Sequence, residues 1–183
     1  MSGFCVYLCL PEYLAQWYAY TCHEHHFIME DVSPANPYDP MIPVEPIKGS
    51  YESKVLQKNL RKQPTAVPEP RPEGATLALA IPYYKDKNPH TYNYLGKHAR
   101  KELEDAIRNA FDVCLWEELH LFKVRLTRQD QTIYTFMENH GIADTETNWL
   151  AISKRYKRMR DVYNVTKCKK SKRLGASKKS EDN

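Results

Sequence analysis

The stretch HARKELEDAIRNAFDVCLWEELHLF, residues 98–122, decides the fold. Its apolar side chains recur every three or four positions, which is the spacing of one face of an α-helix. They are Leu103, Ala106, Ile107, Ala110, Phe111, Cys114, Leu115, Leu119 and Phe122. We therefore expect one long helix at the centre of the hydrophobic core.

Two short stretches on the amino-terminal side of this helix predict strands. In residues 4–10 apolar side chains alternate with Cys5, Tyr7 and Cys9, and in residues 75–82 small side chains alternate with large ones. We expect the two strands to pair with each other. Together with the helix they predict an α+β fold, in which a small β-sheet of two or more strands packs on helices.

Shorter helices are predicted after each of two start signals. Pro11 suits a first helical position, and a short helix should follow the first strand directly. Ser50 is expected to cap a second short helix, which should stop before Pro64. The Tyr-rich residues 83–96 are expected to form a connection between the second strand and the long helix.

A proline stands at every third position from residue 34 to residue 46, inside a Pro-rich arm that covers residues 27–47. Polyproline II has three residues per turn, so this spacing predicts an extended arm roughly 40 Å long with all its rings along one edge. The arm would either bind a protein partner or run over its own domain as an ordered connector. Its prolines are Pro34, Pro37, Pro40, Pro43 and Pro46. A second Pro-rich segment, residues 64–74, is expected to be a linker.

The carboxyl-terminal part predicts a helical hairpin. Thr127 and Asp130 form a near capping box, and His140 with Gly141 should close the first helix. Thr145 should cap the second helix. An apolar ridge runs along that second helix at spacings of three and four, made of Trp149, Ile152, Tyr156, Met159 and Tyr163. A hairpin with a turn Gly and a basic second helix has the outline of a helix-turn-helix.

Charge is distributed unevenly along the chain, although the net charge is only +4. Residues 1–153 carry 15 Lys and Arg against 20 Asp and Glu, whereas residues 154–183 carry 12 against 3. A basic block at one end is typical of an arm that binds phosphates. The candidate nucleic-acid contacts are Lys154, Arg155, Lys157, Arg158, Arg160, Lys167, Lys169, Lys170, Lys172 and Arg173. A solubilising tail is the competing interpretation.

These patterns predict three segments: an α+β domain over residues 1–126, a helix-turn-helix-like hairpin over residues 127–165, and a basic disordered tail over residues 166–183. No stretch is apolar enough to cross a membrane and no signal peptide is recognisable, so we expect no membrane association and a cytoplasmic location. Five cysteines without a CxxC pair predict reduced thiols rather than a disulfide framework.

No catalytic motif is recognisable, and we expect neither an enzyme nor a cofactor. Residues 22–26, CHEHH, place four candidate metal ligands in five positions. Adjacent ligands chelate poorly, because zinc usually takes ligands spaced by two to four residues from separate segments. We therefore expect a polar loop there and no metal site. His98, His120 and His140 are expected to have structural roles.

Three segments carry a resemblance: residues 7–17, the residues 80–82 and 92–95 taken together, and residues 156–160. They resemble segments of small uncharacterised proteins from gut anaerobic bacteria and their phages or other mobile elements. The resemblance implies a mobile-element setting and supplies no activity. The proline arm departs from it and would suit a virion or assembly protein.

The sequence thus favours a non-enzymatic nucleic-acid-binding protein that contacts the phosphate backbone, with DNA favoured over RNA. The main alternative is a phage virion or assembly protein that uses the proline arm and is located in the particle, with a protein partner or a second copy of the chain. A metal-binding enzyme is a more distant alternative.

Overall fold

The computed structural model of the protein describes residues 4–27, 40–64, 71–121 and 129–178. The described part is α+β, as predicted. Its elements in chain order are β1 (Cys5–Leu8), α1 (Glu12–Phe27), α2 (Tyr51–Asn59), β2 (Arg61–Lys62), β3 (Leu77–Ala80), β4 (Tyr92–Tyr94), α3 (Lys97–Trp116), a π-helical turn (Glu117–Leu121), α4 (Gln129–Asn139) and α5 (Glu146–Lys178).

The long helix predicted for residues 98–122 is confirmed as α3 and the π-helical turn that continues it to Leu121, and Phe122 lies outside the described residues. One face of α3 is buried along its whole length. The ring of Phe111, which is fully buried, packs against the rings of Tyr13, Trp17 and Phe136 at centroid distances of 5.3, 5.3 and 5.9 Å. Because these rings come from α1 and α4, α3 is the element on which both neighbours pack.

The predicted pairing of the two strands is also confirmed. β1 and β3 are antiparallel, with Cys5 opposite Ala80 and Leu8 opposite Leu77. All four residues of β3 are buried. Val44 joins the other edge of β3 through a parallel bridge, since its N–H donates to the Ala78 carbonyl and its own carbonyl accepts from the Ala80 N–H. β3 is therefore covered on both edges.

A second two-stranded ribbon was not predicted. β2 pairs antiparallel with β4, which lies in the segment expected to be a connection. The strands are two and three residues long, too short for an alternating pattern to be recognised. Next to the ribbon, the Lys87 ammonium donates to the carbonyls of Gln57, Lys58 and Leu60 at 2.5, 3.0 and 2.9 Å and so caps the carboxyl end of α2.

The predicted helix start at Ser50 is confirmed, because its hydroxyl accepts from the Ser53 N–H at 3.1 Å. Pro11 lies one residue before α1, and its carbonyl accepts from Leu14 and Ala15. Residues 22–26 were expected to form a polar loop, which is wrong: they are the last turns of α1.

The helical hairpin is confirmed as α4 and α5. Gly141 has φ +61°, and the Ile142 N–H donates to the Met137 carbonyl at 2.9 Å, which ends α4 with a residue in the left-handed region. The Thr145 hydroxyl accepts from the Asn148 N–H at 3.2 Å and caps α5. Thr127 of the expected capping box lies outside the described residues. The hairpin shares one hydrophobic core with the rest of the chain.

The tail was predicted to be disordered from residue 166, but the backbone of α5 is helical to Lys178. Lys and Arg are good helix formers, and the first Gly after α5 begins is Gly175, so nothing in residues 166–174 interrupts an established helix. Residues 179–183 lie outside the described part. None of the described helices combines the length and the apolar character that a membrane span requires.

Candidate nucleic-acid interface

The first half of α5 is held against the body of the protein by the predicted ridge. Ile152 and Tyr156 are buried, and Trp149 and Met159 are half-buried. The Tyr156 hydroxyl donates to the Leu119 carbonyl at 3.2 Å. Tyr163 is 41% exposed, yet its ring lies 5.3 Å from that of Trp116 and 4.8 Å from that of His120. The ridge therefore faces the protein, and the opposite side of α5 faces solvent.

Arg155 is engaged inside the protein and is not part of that solvent face. Its guanidinium forms a two-pronged pair with the Asp112 carboxylate, through Nε to Oδ1 and through Nη2 to Oδ2 at 2.6 Å. The side chains are about one quarter exposed. The hydrogen bonds that Arg155 donates to the Asp112 carboxylate raise the pKa of Arg155, against the opposing effect of burial. The pair joins α5 to α3, so we remove Arg155 from the candidate contacts.

The remaining described cations divide into two groups. Lys154, Lys157, Arg158 and Lys167 are exposed, and no carboxylate of the described residues forms an ion pair with any of them. The first three stand at positions i, i+3 and i+4 and so share one side of the helix. Arg160 is half-buried. Burial raises the pKa of the Tyr156 hydroxyl, and the positive charge of Arg160 partly offsets this by lowering it.

Beyond the body, α5 continues as a single helix. Residues 161–167 are all exposed, including Val162 at 67% and Val165 at 54%. The helical backbone from residue 161 to residue 178 has a length of about 27 Å at 1.5 Å per residue. Its later part carries Lys169, Lys170, Lys172 and Arg173 in sequence. The basic residues therefore lie on a helix that leaves the globular part.

The first turn of α5 is where a helix-turn-helix protein would place its base contacts. Asn148 lies in this turn and its amide has the donor and acceptor that a base edge requires, but it is only 1% exposed. Its Nδ2 donates to the Ala143 carbonyl at 3.0 Å and to Gln16 Oε1 at 3.4 Å. This amide fixes the turn between α4 and α5 to α1, and it is not available to read a base.

The proline arm is described only from residue 40 onward, and Pro34 and Pro37 lie outside the described residues. Pro40 accepts a hydrogen bond from the Ala78 N–H through its carbonyl, Pro46 is buried, and Pro43 is exposed. With Val44 bridging to β3, this end of the arm packs on its own domain. The described part therefore has the properties of the ordered connector.

Cys22 of the CHEHH segment is fully buried in the core, where burial raises the pKa of its thiol to about 12. A different set of potential ligands meets elsewhere: Cys114, Glu118 and His140 place one ligand atom each within 4.8 Å of the others. The signal in the sequence was the spacing of Cys114 and Glu118 by four residues on one helical face, but nothing in it placed His140 beside them.

The comparisons with family models, with curated proteins and with solved structures each found no match. The resemblance of residues 7–17 and of the other two segments to mobile-element proteins stays a prediction.

Proposed function

We propose that the protein is a non-enzymatic nucleic-acid-binding protein that contacts phosphates through the solvent side of α5, in the cytoplasm. The observation that supports this most is the set of exposed cations, Lys154, Lys157, Arg158 and Lys167, that no described carboxylate neutralises, on a helix that leaves the body. A solubilising tail does not need an anchored helical scaffold, whereas a helix that follows a phosphate backbone does.

The expected recognition is tolerant of sequence. Lys and Arg neutralise phosphates and release condensed counterions, which gives affinity without information about the bases. The amide best placed to read a base, that of Asn148, is used inside the protein. We therefore expect similar affinities for unrelated duplexes of equal length.

The shape of α5 favours DNA over RNA. An α-helix with its side chains is about 10–12 Å across, and the major groove of B-DNA is about 12 Å wide. After the Tyr163 ring, which packs on the body, residues 164–167 are exposed on successive sides of the helix and could enter such a groove. The major groove of A-form RNA is too deep and narrow for side chains to read.

Asp161 stands on the same side of α5 as Lys157, four residues away, and is exposed without an ion pair among the described residues. Next to a phosphate its carboxylate would be repelled. We therefore expect Asp161→Asn to strengthen binding of duplex DNA, which no purely solubilising role would require.

The test is a titration of labelled duplex and single-stranded oligonucleotides at two salt concentrations, with the full chain and with a version that ends at Asn164. A version that ends at Ser153 is unsuitable, because it would remove the buried Tyr156 and the partner of Asp112. Ending at Asn164 keeps the whole ridge and removes seven lysines and arginines from residues 165–183.

We expect the shortened chain to keep its fold and to lose most of the salt-dependent binding. If the full chain binds no oligonucleotide at low salt, the proposal is wrong. Sedimentation of the protein in a large particle, lost when exposed Pro43 is changed, would then favour the assembly role, in which a virion is the location and a protein or a second copy is the partner.

A further inference from the structure

Three side chains with metal-binding atoms converge where the end of α3 meets the end of α4. The Cys114 sulfur lies 3.8 Å from His140 Nε2 and 3.8 Å from Glu118 Oε1, and those two atoms are 2.6 Å apart. All three residues are half-buried, so the cluster is reached by solvent from one side.

The backbone explains the convergence. Cys114 and Glu118 are four residues apart, which places them on one side of the helix, and Glu118 lies in the π-helical turn. Such turns occur frequently at functional sites. His140 follows the last residue of α4, and Gly141 then turns the chain away. The ligands thus come from two segments, as in most zinc sites.

A Cys–His–acid catalytic triad would need a different arrangement. In a triad the thiol contacts one ring nitrogen and the carboxylate orients the imidazole through the other. Here the sulfur of Cys114 and the carboxylate of Glu118 both face the same nitrogen, Nε2 of His140. Three ligand atoms that lie within 4.8 Å of one another, one from each side chain, are a set that a single cation can join.

Two of the three distances between the ligand atoms fit a zinc ion, and the third is a short hydrogen bond. Bond lengths of about 2.3 Å to sulfur and about 2.0–2.2 Å to nitrogen and oxygen, at tetrahedral angles, separate sulfur from the other two ligand atoms by about 3.6 Å. Both such distances are 3.8 Å here. The nitrogen and oxygen would have to move about 0.8 Å further apart from their hydrogen-bonded 2.6 Å. Glu118, whose side chain is 37% exposed, has room to do this.

The buried indole of Trp17 is a further group that bears on Cys114. Trp17 is 4% exposed, and its Nε1 has no hydrogen-bond partner of normal geometry among the described residues. Burial raises the pKa of the Cys114 thiol, and the indole N–H of Trp17 acts in the opposite direction and lowers it. A metal-bound thiolate is a much better acceptor than a thiol and would satisfy this donor, in the manner of the outer hydrogen bonds that support metal ligands.

We propose that Cys114, Glu118 and His140 bind one Zn²⁺ ion, with water as the fourth ligand. One thiolate, one imidazole and one carboxylate are all ligands that zinc accepts. The ion would join the π-helical turn to α4 and so fix the hairpin whose second helix is α5. This site is independent of the proposed nucleic-acid contacts, because none of its residues lies on α5.

The test uses tag-free full-length protein freed of metal with a chelator. It is titrated with ZnCl2 by calorimetry and with CoCl2 by absorption, where a thiolate-to-cobalt charge-transfer band reports the sulfur ligand. We expect one equivalent of each metal to bind. Cys114→Ser and His140→Gln should each weaken Zn²⁺ binding at least about 100-fold, since outer-shell changes alone cost 10–100-fold, and Cys114→Ser should abolish the band.

Two control variants should bind as the wild type does: Cys9→Ser, which removes an exposed thiol, and the double change His25→Gln with His26→Gln, which disrupts the CHEHH segment. Glu118→Gln guards against loss of fold, because an amide can keep the contact with His140. It should weaken Zn²⁺ binding while the urea midpoint in chelator stays unchanged.

The proposal is overturned if the wild type takes up Zn²⁺ only at millimolar concentration. It is also overturned if Cys114→Ser binds Zn²⁺ as the wild type does while the variant changed at His25 and His26 does not. No nucleic acid enters these measurements, so their result does not depend on the proposed function.

Discussion

Replacing the four exposed cations Lys154, Lys157, Arg158 and Lys167 with Gln should change DNA binding mainly through its salt dependence. Each neutralised phosphate on B-DNA contributes about −0.9 to the slope of log K against log salt, so four contacts contribute about −3.6. Between 50 and 200 mM salt, a fourfold change, this amounts to about 150-fold in affinity. The variant should lose this contribution to the salt dependence of binding and keep the contribution of the basic residues between positions 169 and 173.

The assay is fluorescence anisotropy with a labelled duplex at four salt concentrations. Gln is a good helix former and the four positions are exposed, so the free energy of unfolding should change by less than about 0.5 kcal/mol per position. A matched control changes four exposed lysines on other elements, Lys48, Lys54, Lys85 and Lys101, to Gln, with the same change in net charge. If both variants reduce the slope equally, binding depends on overall charge and the assignment of α5 is refuted.

Three further predictions concern stability and are checked by urea denaturation. Asp112→Ala leaves the guanidinium of Arg155 half-buried without its carboxylate and should cost about 2 kcal/mol; a double-mutant cycle with Arg155→Ala that returns no coupling energy would contradict this. Lys87→Met removes three hydrogen bonds to the end of α2 and should also cost about 2 kcal/mol, visible as a lower midpoint at unchanged slope. Gly141→Ala should cost about 3 kcal/mol, because its φ is +61° and the added methyl would lie 2.3 Å from a ring atom of Tyr20; wild-type stability would show that this turn relaxes at no cost.

The parts of the fold that could be predicted are those in which a periodic pattern coincides with burial. The face of α3 that the spacing marked as apolar is the buried face. The two segments in which side-chain types alternate form β1 and β3, which pair with each other. Capping signals were equally reliable at Ser50 and Thr145, where a hydroxyl accepts the N–H three residues later. Each of these signals depends on a few neighbouring residues only.

The features that could not be predicted depend on contacts between distant segments. The role of Arg155 is decided by Asp112, 43 residues away, and nothing in a basic run distinguishes a paired guanidinium from a solvated one. Asn148 is similar, since the partner of its amide is Gln16, 132 residues away. The convergence of His140 with Cys114 required the packing of α4 on the π-helical turn. A sequence can therefore indicate which types of residue a site contains, but it does not show which individual residues form the site.

The pairing of β1 with β3 has a consequence for biosynthesis. Cys5 meets Ala80, so about 75 residues must be translated after the first strand before its partner exists. At 5–20 residues per second this takes about 4 to 15 seconds, during which Val6 and Leu8, both buried in the finished protein, have no sheet to join. In that interval the nascent chain exposes an apolar strand with unpaired backbone groups. A holdase chaperone that binds this strand would therefore have several seconds in which to protect it.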